Sequence, residues 1–215
     1  MKHLAIFDLD GTLVNTIEDL GTATNHALQT MGYPQHAIAS YNNMVGNGVT
    51  KLIERALPEE ARTTRIIENM RMHFREYYDE HLWDFSEPYP GITDLLEELV
   101  DRHVNIAVAS NKYQEAVTRI IDHFFGKLPW VAVHGNRDGV PVKPDPSVVF
   151  GILSECPTPK SDVLYIGDSG VDMETARRAC VESCGVTWGF RTRQELVKAY
   201  ADHIVSNPDD ILAFI

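Results

Sequence analysis

Residues 4–12 read Leu4-Ala5-Ile6-Phe7-Asp8-Leu9-Asp10-Gly11-Thr12: four apolar positions, then two acids and a glycine. An apolar run this short and unbroken predicts a buried strand, because a helix needs more length. The run stops at Asp8, and Asp10 follows two positions on. In extended backbone residues two apart face the same side, so two carboxylates would crowd one spot at the carboxyl end of a central strand. Gly11 lets the chain turn away at once. Like charges this close need a cation, a shared proton or hydrogen bonds to compensate them.

Outward from that stretch the period changes. Ile17, Leu20, Thr24, Ala27, Leu28 and Met31 recur every three or four residues, and Gly32 with Pro34 ends the pattern. Thr16 is placed to cap this helix, with Asp19 three residues on in a box-like arrangement. A second helix follows Gly46-Asn47-Gly48 and carries Leu52, Ile53, Ala56 and Leu57. A third is predicted from about Glu59 to His81, with Ile66, Ile67, Met70, Phe74, Tyr77 and Tyr78 on one side as core. No strand is expected between about 15 and 82.

From Pro88 the chain alternates helix and strand. Pro90-Gly91 opens a helix with Ile92, Leu95, Leu96, Leu99 and Val100 inward. Strands are expected at 105–110, 130–133, 163–168, 183–188 and 203–205, with helices between several of them. This alternation predicts an α/β fold: a Rossmann-like, doubly wound parallel sheet covered by helices on both faces, with an all-helical block inserted after its first strand. Three of the strands end alike, apolar until their carboxyl ends and polar there. The ends are Asp8 with Asp10, Ser110-Asn111-Lys112, and Asp168 followed by Asp172. In open parallel sheets ligands sit outside those ends, so such a fold would gather all three clusters.

Composition bounds the function. At 215 residues the chain fits one larger domain or a core with an insertion, and 44% hydrophobic residues is ordinary for a globular protein. A formal net charge of −12 argues against nonspecific binding to nucleic acid or to an anionic membrane. Cys156, Cys180 and Cys184 are an odd set without metal-ligand spacing, which reads as reduced thiols in a cytoplasmic protein. Lys2 is the only base before Asp8 apart from His3, which does not make a signal peptide, and no apolar run is long enough to span a membrane.

The motifs together resemble the haloacid dehalogenase superfamily, on its phosphatase side. They are Asp-Leu-Asp-Gly-Thr at 8–12, Ala-Ser-Asn-Lys at 109–112, Lys143-Pro144-Asp145-Pro146, and Gly167-Asp168-Ser169-Gly170-Val171-Asp172. They occur in the family's order and span nearly the whole chain. Val45-Gly46-Asn47-Gly48 with Leu52 to Leu57, and Trp188-Gly189-Phe190-Arg191, are similar to the phosphoglycolate phosphatase branch. Asn15 departs from the family, where many relatives carry an aspartate.

The resemblance implies a core domain of residues 1–14 and 86–215 and a helical cap of residues 15–85. It implies Asp8 as the nucleophile that forms an aspartyl-phosphate, and Asp10 as the acid and base for the leaving alkoxide and the attacking water. Ser110 and the Asn111 amide would bind phosphoryl oxygens, and Lys143 would neutralise charge on them and on Asp8. A hard divalent cation, Mg²⁺, would be held by Asp8, the Asp10 carbonyl and Asp168, with Asp172 ordering its outer shell. Gly46, Asn47 and Gly48 would hold the organic part of the substrate, a small phosphorylated metabolite. The chain would act as a monomer or homodimer. A sugar-phosphate mutase and a pyrophosphatase share this machinery, and a receiver-like phosphate-binding switch shares its residue types. Asp10 opposes a dehalogenase, which lacks the second aspartate. The inserted helices and the Asp8-x-Asp10 pair oppose a receiver module. The residues do not name the substrate.

Overall fold

A computed structural model describes residues 1–215. Its strands and helices, in chain order, begin with β1 (Leu4–Phe7) and β2 (Val14–Asn15). There follow α1 (Ile17–Thr30), α2 (Val49–Ala56), α3 (Thr64–Tyr78), β3 (Glu87–Pro88), α4 (Ile92–Asp101), β4 (Asn105–Tyr113), α5 (Gln114–Phe125) and β5 (Trp130–Asn136). The chain ends with α6 (Ser147–Glu155), β6 (Val163–Gly167), α7 (Gly170–Ala179), β7 (Glu182–Val186), α8 (Arg193–Lys198) and β8 (His203–Val205).

Six strands form one sheet in the order β5-β4-β1-β6-β7-β8, with every pairing parallel. β1 lies inside it, Phe7 opposite Val108 on one side and Ile166 on the other. All four β1 residues are buried, which is why the strand reads as an unbroken apolar run. Its alternate residues serve opposite faces. Ala5 and Phe7 join the core under α4 and α5, while Leu4 and Ile6 join that under α6 and α7. The doubly wound α/β reading of the sequence is therefore the observed fold.

In chain order helices α1, α2 and α3 fall between β1 and the other strands of the sheet, with α1 and α2 both packed on α3. The third helix is shorter than its periodicity predicts. A 3-10 turn, Glu59–Ala61, precedes it, and α3 starts only after Thr63, whose hydroxyl accepts from the Ile66 amide. The Thr16–Asp19 capping arrangement does not form. The Thr16 hydroxyl donates instead to Asp10, and the buried Asp19 carboxylate accepts from the Phe85 and Ser86 amides and the Ser86 hydroxyl. Both residues tie the start of α1 to neighbouring segments rather than to its own first turn. At its edges Val14–Asn15 pairs antiparallel with Glu87–Pro88, a two-residue ribbon where the chain leaves and rejoins the sheet, and no strand lies between residues 16 and 82. β7 stops at Val186, short of Trp188, whose indole donates to the Thr12 carbonyl from a loop. No helix is long and apolar enough to cross a membrane.

Candidate active site

The loop after β1 fixes the first two acids. The Leu9 carbonyl accepts from the amides of Thr12, Leu13 and Val14, winding the chain tightly behind Asp8. Gly11 sits at φ +86, and a Cβ there would lie 2.5 Å from Asp168 Oδ2. Both the backbone angle and the space exclude a side chain. Gly189 packs as closely, where a Cβ would be 2.3 Å from that of Asp168 and 2.2 Å from the Gly11 carbonyl oxygen. Asp168, at the end of β6, is thus held tightly against two backbones, and its Oδ2 accepts from the Phe190 amide at 2.6 Å.

Asp8, Asp168 and Asp172 are buried and bring carboxylate oxygens within 4.8 Å of one another. One ammonium answers them: Lys143 Nζ lies 2.9 Å from Asp8 Oδ1 and 2.7 Å from Asp172 Oδ1. Burial disfavours charge on Lys143, but Asp172 and Asp8 outweigh it and hold the amine well above the ordinary lysine range. Burial, then repulsion from Asp172, pushes Asp8 up to about 7 despite Lys143. Asp168 is raised well above the usual carboxylate range by burial, with Asp172 and Asp8 adding to it.

When ionised, three carboxylates against one ammonium leave an excess of two negative charges, and their donors are all hard oxygens. That donor set fits a divalent cation such as Mg²⁺. The three acids are not equally free. Asp172 is fully engaged, Oδ1 with Lys143 and Oδ2 with the Ser169 amide and hydroxyl. On Asp8, the Leu9 amide and Lys143 both hold Oδ1, leaving Oδ2 without a protein partner. Asp168 Oδ1 is likewise unpartnered.

Asp10 belongs to a second charge pair. Its carboxylate accepts from Thr16 at 2.7 Å and from Lys112 Nζ at 2.8 and 3.1 Å. Ser110, Asn111 and Lys112 all lie within β4, where its pairing with β5 is irregular after Ala109. Asn111 acts as a clasp: its side-chain amide donates to the carbonyls of Gly46 and Lys143, and its oxygen accepts from the Lys143 amide.

Between these groups and the helical block is a cavity of about 40 Å³. Asp8, Asp10, Ser110, Asn111 and Lys112 line it from the sheet, and Gly46 and Gly48 from the loop before α2. Asn47 stands apart, lining an outer groove and accepting from Arg55. The sequence reading gave no role to three residues now seen here. Lys112 could have been found from its two-residue spacing after Ser110 on an extended strand. Tyr78, read as core, lines the cavity. Arg191 reaches from the loop after β7 to the Asn42 and Val45 carbonyls, tying the helical block down. No local pattern marks that contact.

The sequence profile described as haloacid dehalogenase-like hydrolase matches residues 5–186. Phosphoglycolate phosphatase of Vibrio parahaemolyticus is 29% identical, covering 99% of this chain and 95% of the relative. That of Pseudomonas syringae pv. tomato is 31% identical, covering 88% and 71%. A crystal structure from Lactobacillus delbrueckii subsp. bulgaricus superposes with a TM-score of 0.91 at 30% identity, covering 98% of this chain and 97% of that one. The profile spans most of the chain, and the site it covers is the acid cluster at the carboxyl ends of β1 and β6. The chain belongs to the haloacid dehalogenase-like hydrolase family.

Proposed function

We propose that this hydrolase is a Mg²⁺-dependent phosphatase that cleaves small phosphate monoesters, 2-phosphoglycolate among them, through a phosphorylated Asp8. The observation that carries this reading is the state of Asp8: one oxygen pinned by the Leu9 amide and Lys143, the other open, beside a cavity that Asp10 also lines. A phosphate monoester dianion repels nucleophiles, so catalysis consists mainly of positioning and charge stabilisation. In this reading Asp8 attacks phosphorus, and the bond to the leaving oxygen breaks. Asp10, held by Thr16 and Lys112, gives that oxygen its proton and later takes one from the attacking water. Ser110 binds a phosphoryl oxygen with its hydroxyl hydrogen, its oxygen already accepting from the Lys112 amide. Lys143 neutralises charge beside Asp8. The divalent cation supplies electrostatic stabilisation of the phosphoryl oxygens, and Asp8, Asp168 and the Asp10 carbonyl would hold it. Asp172 orients Lys143 from behind.

The cavity also supports treating residues 15–85 as a cap over a core of 1–14 and 86–215. Leu20, Val45, Val49, Leu52 and Phe74 close it from the helical side, which keeps water from the acyl phosphate until it is wanted. Gly46 and Gly48 bring the loop's backbone against the core, where the Gly46 carbonyl meets Asn111. Substrate choice follows the two phosphoglycolate phosphatases named above. The test is a panel of phosphorylated metabolites with Mg²⁺, scored for released phosphate. Turnover led by 2-phosphoglycolate is expected. Isomerised product without phosphate release would establish a mutase instead, and inactivity on every monoester would refute the proposal.

A further inference from the structure

The cap side of the cavity carries one feature that phosphoryl chemistry does not use. Among the residues the helical block contributes, Tyr78 alone has a polar side chain, and its hydroxyl is buried with no hydrogen-bond partner. An orphan hydroxyl in an apolar wall costs stability, and Phe74, one turn before it, stacks on the same ring. Burial first, then the Asp10, Asp19 and Asp79 carboxylates, hold the phenol well above its ordinary range, so it keeps its hydrogen and can donate.

The Tyr78 ring lies under Lys112, with Nζ 4.9 Å from the ring centre. That ammonium is buried and gives two of its three hydrogens to Asp10. The third has no acceptor in the protein. The two partners of one cation–aromatic contact thus each keep a donor without a protein acceptor, one of them cationic, next to the acid that would protonate the leaving oxygen. The cap adds no carboxylate or carboxamide side chain to the lining. An ammonium substituent would meet the like charge of Lys112, whereas a carboxylate takes a hydrogen from each donor and answers that charge. The cavity's size adds that the group must be close to the ester oxygen.

We propose that Tyr78 and Lys112 form a carboxylate-recognising pair, which makes the enzyme selective for short phosphate monoesters whose alcohol carries a carboxylate beside the ester carbon. This rests on the phosphatase reading above and assigns that site its substrate class. Tyr78 is the specificity residue. Lys112 serves both the carboxylate and Asp10.

The test is the ratio of kcat/KM for 2-phosphoglycolate to that for ethyl phosphate, with phosphoethanolamine as the same-length substrate of opposite charge. The wild type should prefer 2-phosphoglycolate and discriminate most against phosphoethanolamine. Tyr78→Phe should lower the ratio by roughly ten- to a hundredfold, the value of a hydrogen bond to a charged group, mainly through KM. Lys112→Met should lower it as well, whatever it does to both rates through Asp10. Because the hydroxyl has no partner to lose, Tyr78→Phe should melt at or above the wild-type temperature. An unchanged ratio in Tyr78→Phe, or no wild-type preference, overturns the proposal. So does a lowered melting temperature with the preference intact, since that marks a structural hydroxyl. If the wild type hydrolyses no monoester, the phosphatase reading fails by itself. The same ratio is then read from calorimetric binding of the two esters, where its loss in Tyr78→Phe supports the pair and its absence in the wild type overturns it.

Discussion

At the scale of single residues, the site separates two aspartates that the sequence puts two positions apart. Asp8 faces Lys143, Asp168 and Asp172, whereas Asp10 faces Thr16 and Lys112. Their environments suit different work, and this can be measured. Asp10→Asn should slow esters with alkoxide leaving groups by roughly 10²–10⁴-fold. 4-Nitrophenyl phosphate, whose leaving group needs little protonation, should lose much less. Equal losses on both would remove Asp10 from proton transfer. The acids were legible as candidates because strand ends that turn polar are informative in a parallel sheet, whereas Lys143, on the loop before α6, entered only through the resemblance of Lys143-Pro144-Asp145-Pro146 to a family motif. Tyr78 was not, because an aromatic at helical spacing is usually core and only the missing partner of its hydroxyl distinguishes it.

At the scale of elements, the joints between the helical block and the sheet are built from contacts between residues far apart in sequence. Asp19, in the first turn of α1, accepts from Phe85 and Ser86 more than 60 positions away. Removing it leaves buried donors unpaired, so Asp19→Ala should cost about 2–4 kcal/mol in denaturant unfolding. Hydrogen exchange at the Phe85 and Ser86 amides should rise with it. A variant as stable and as protected as the wild type would show that this staple does not hold the joint. Such contacts explain what the sequence hid. Periodicity located α1 and α4 well, since their inward faces are strongly apolar. Capping statistics misassigned Thr16 and Asp19 because longer-range partners won. The ribbon of β2 and β3 is two residues per strand, too short for any alternation to register. α8, with only Leu196 buried, carries no apolar stripe either.

At the scale of the whole molecule, a buried excess of negative charge couples folding to pH and to metal. The carboxyl of Asp8 moves from 3.8 to about 7 on folding, so between those values the native state binds more protons than the unfolded state. Metal-free protein therefore loses stability as pH rises through that window, and Asp168, raised by the same burial, acts in the same direction. A cation that binds only the folded, ionised cluster reverses this. Saturating Mg²⁺ should raise Tm more at pH 8 than at pH 5. A Tm that Mg²⁺ leaves unmoved at pH 8, or raises more at pH 5, would contradict the assignment of the cluster to a cation.

The central claim, that the phosphoryl group passes through Asp8, is tested most directly by trapping it there. Protein mixed with 2-phosphoglycolate and Mg²⁺ is acid-quenched within a turnover, reduced with borohydride and mapped by mass spectrometry. An acyl phosphate on Asp8 is converted to homoserine at that position, and the account predicts this change at residue 8 alone. Asp8→Asn, with turnover reduced by roughly four orders of magnitude or more, should show none. Turnover that leaves Asp8 unmodified at every quench time, or a modified residue elsewhere, would contradict it.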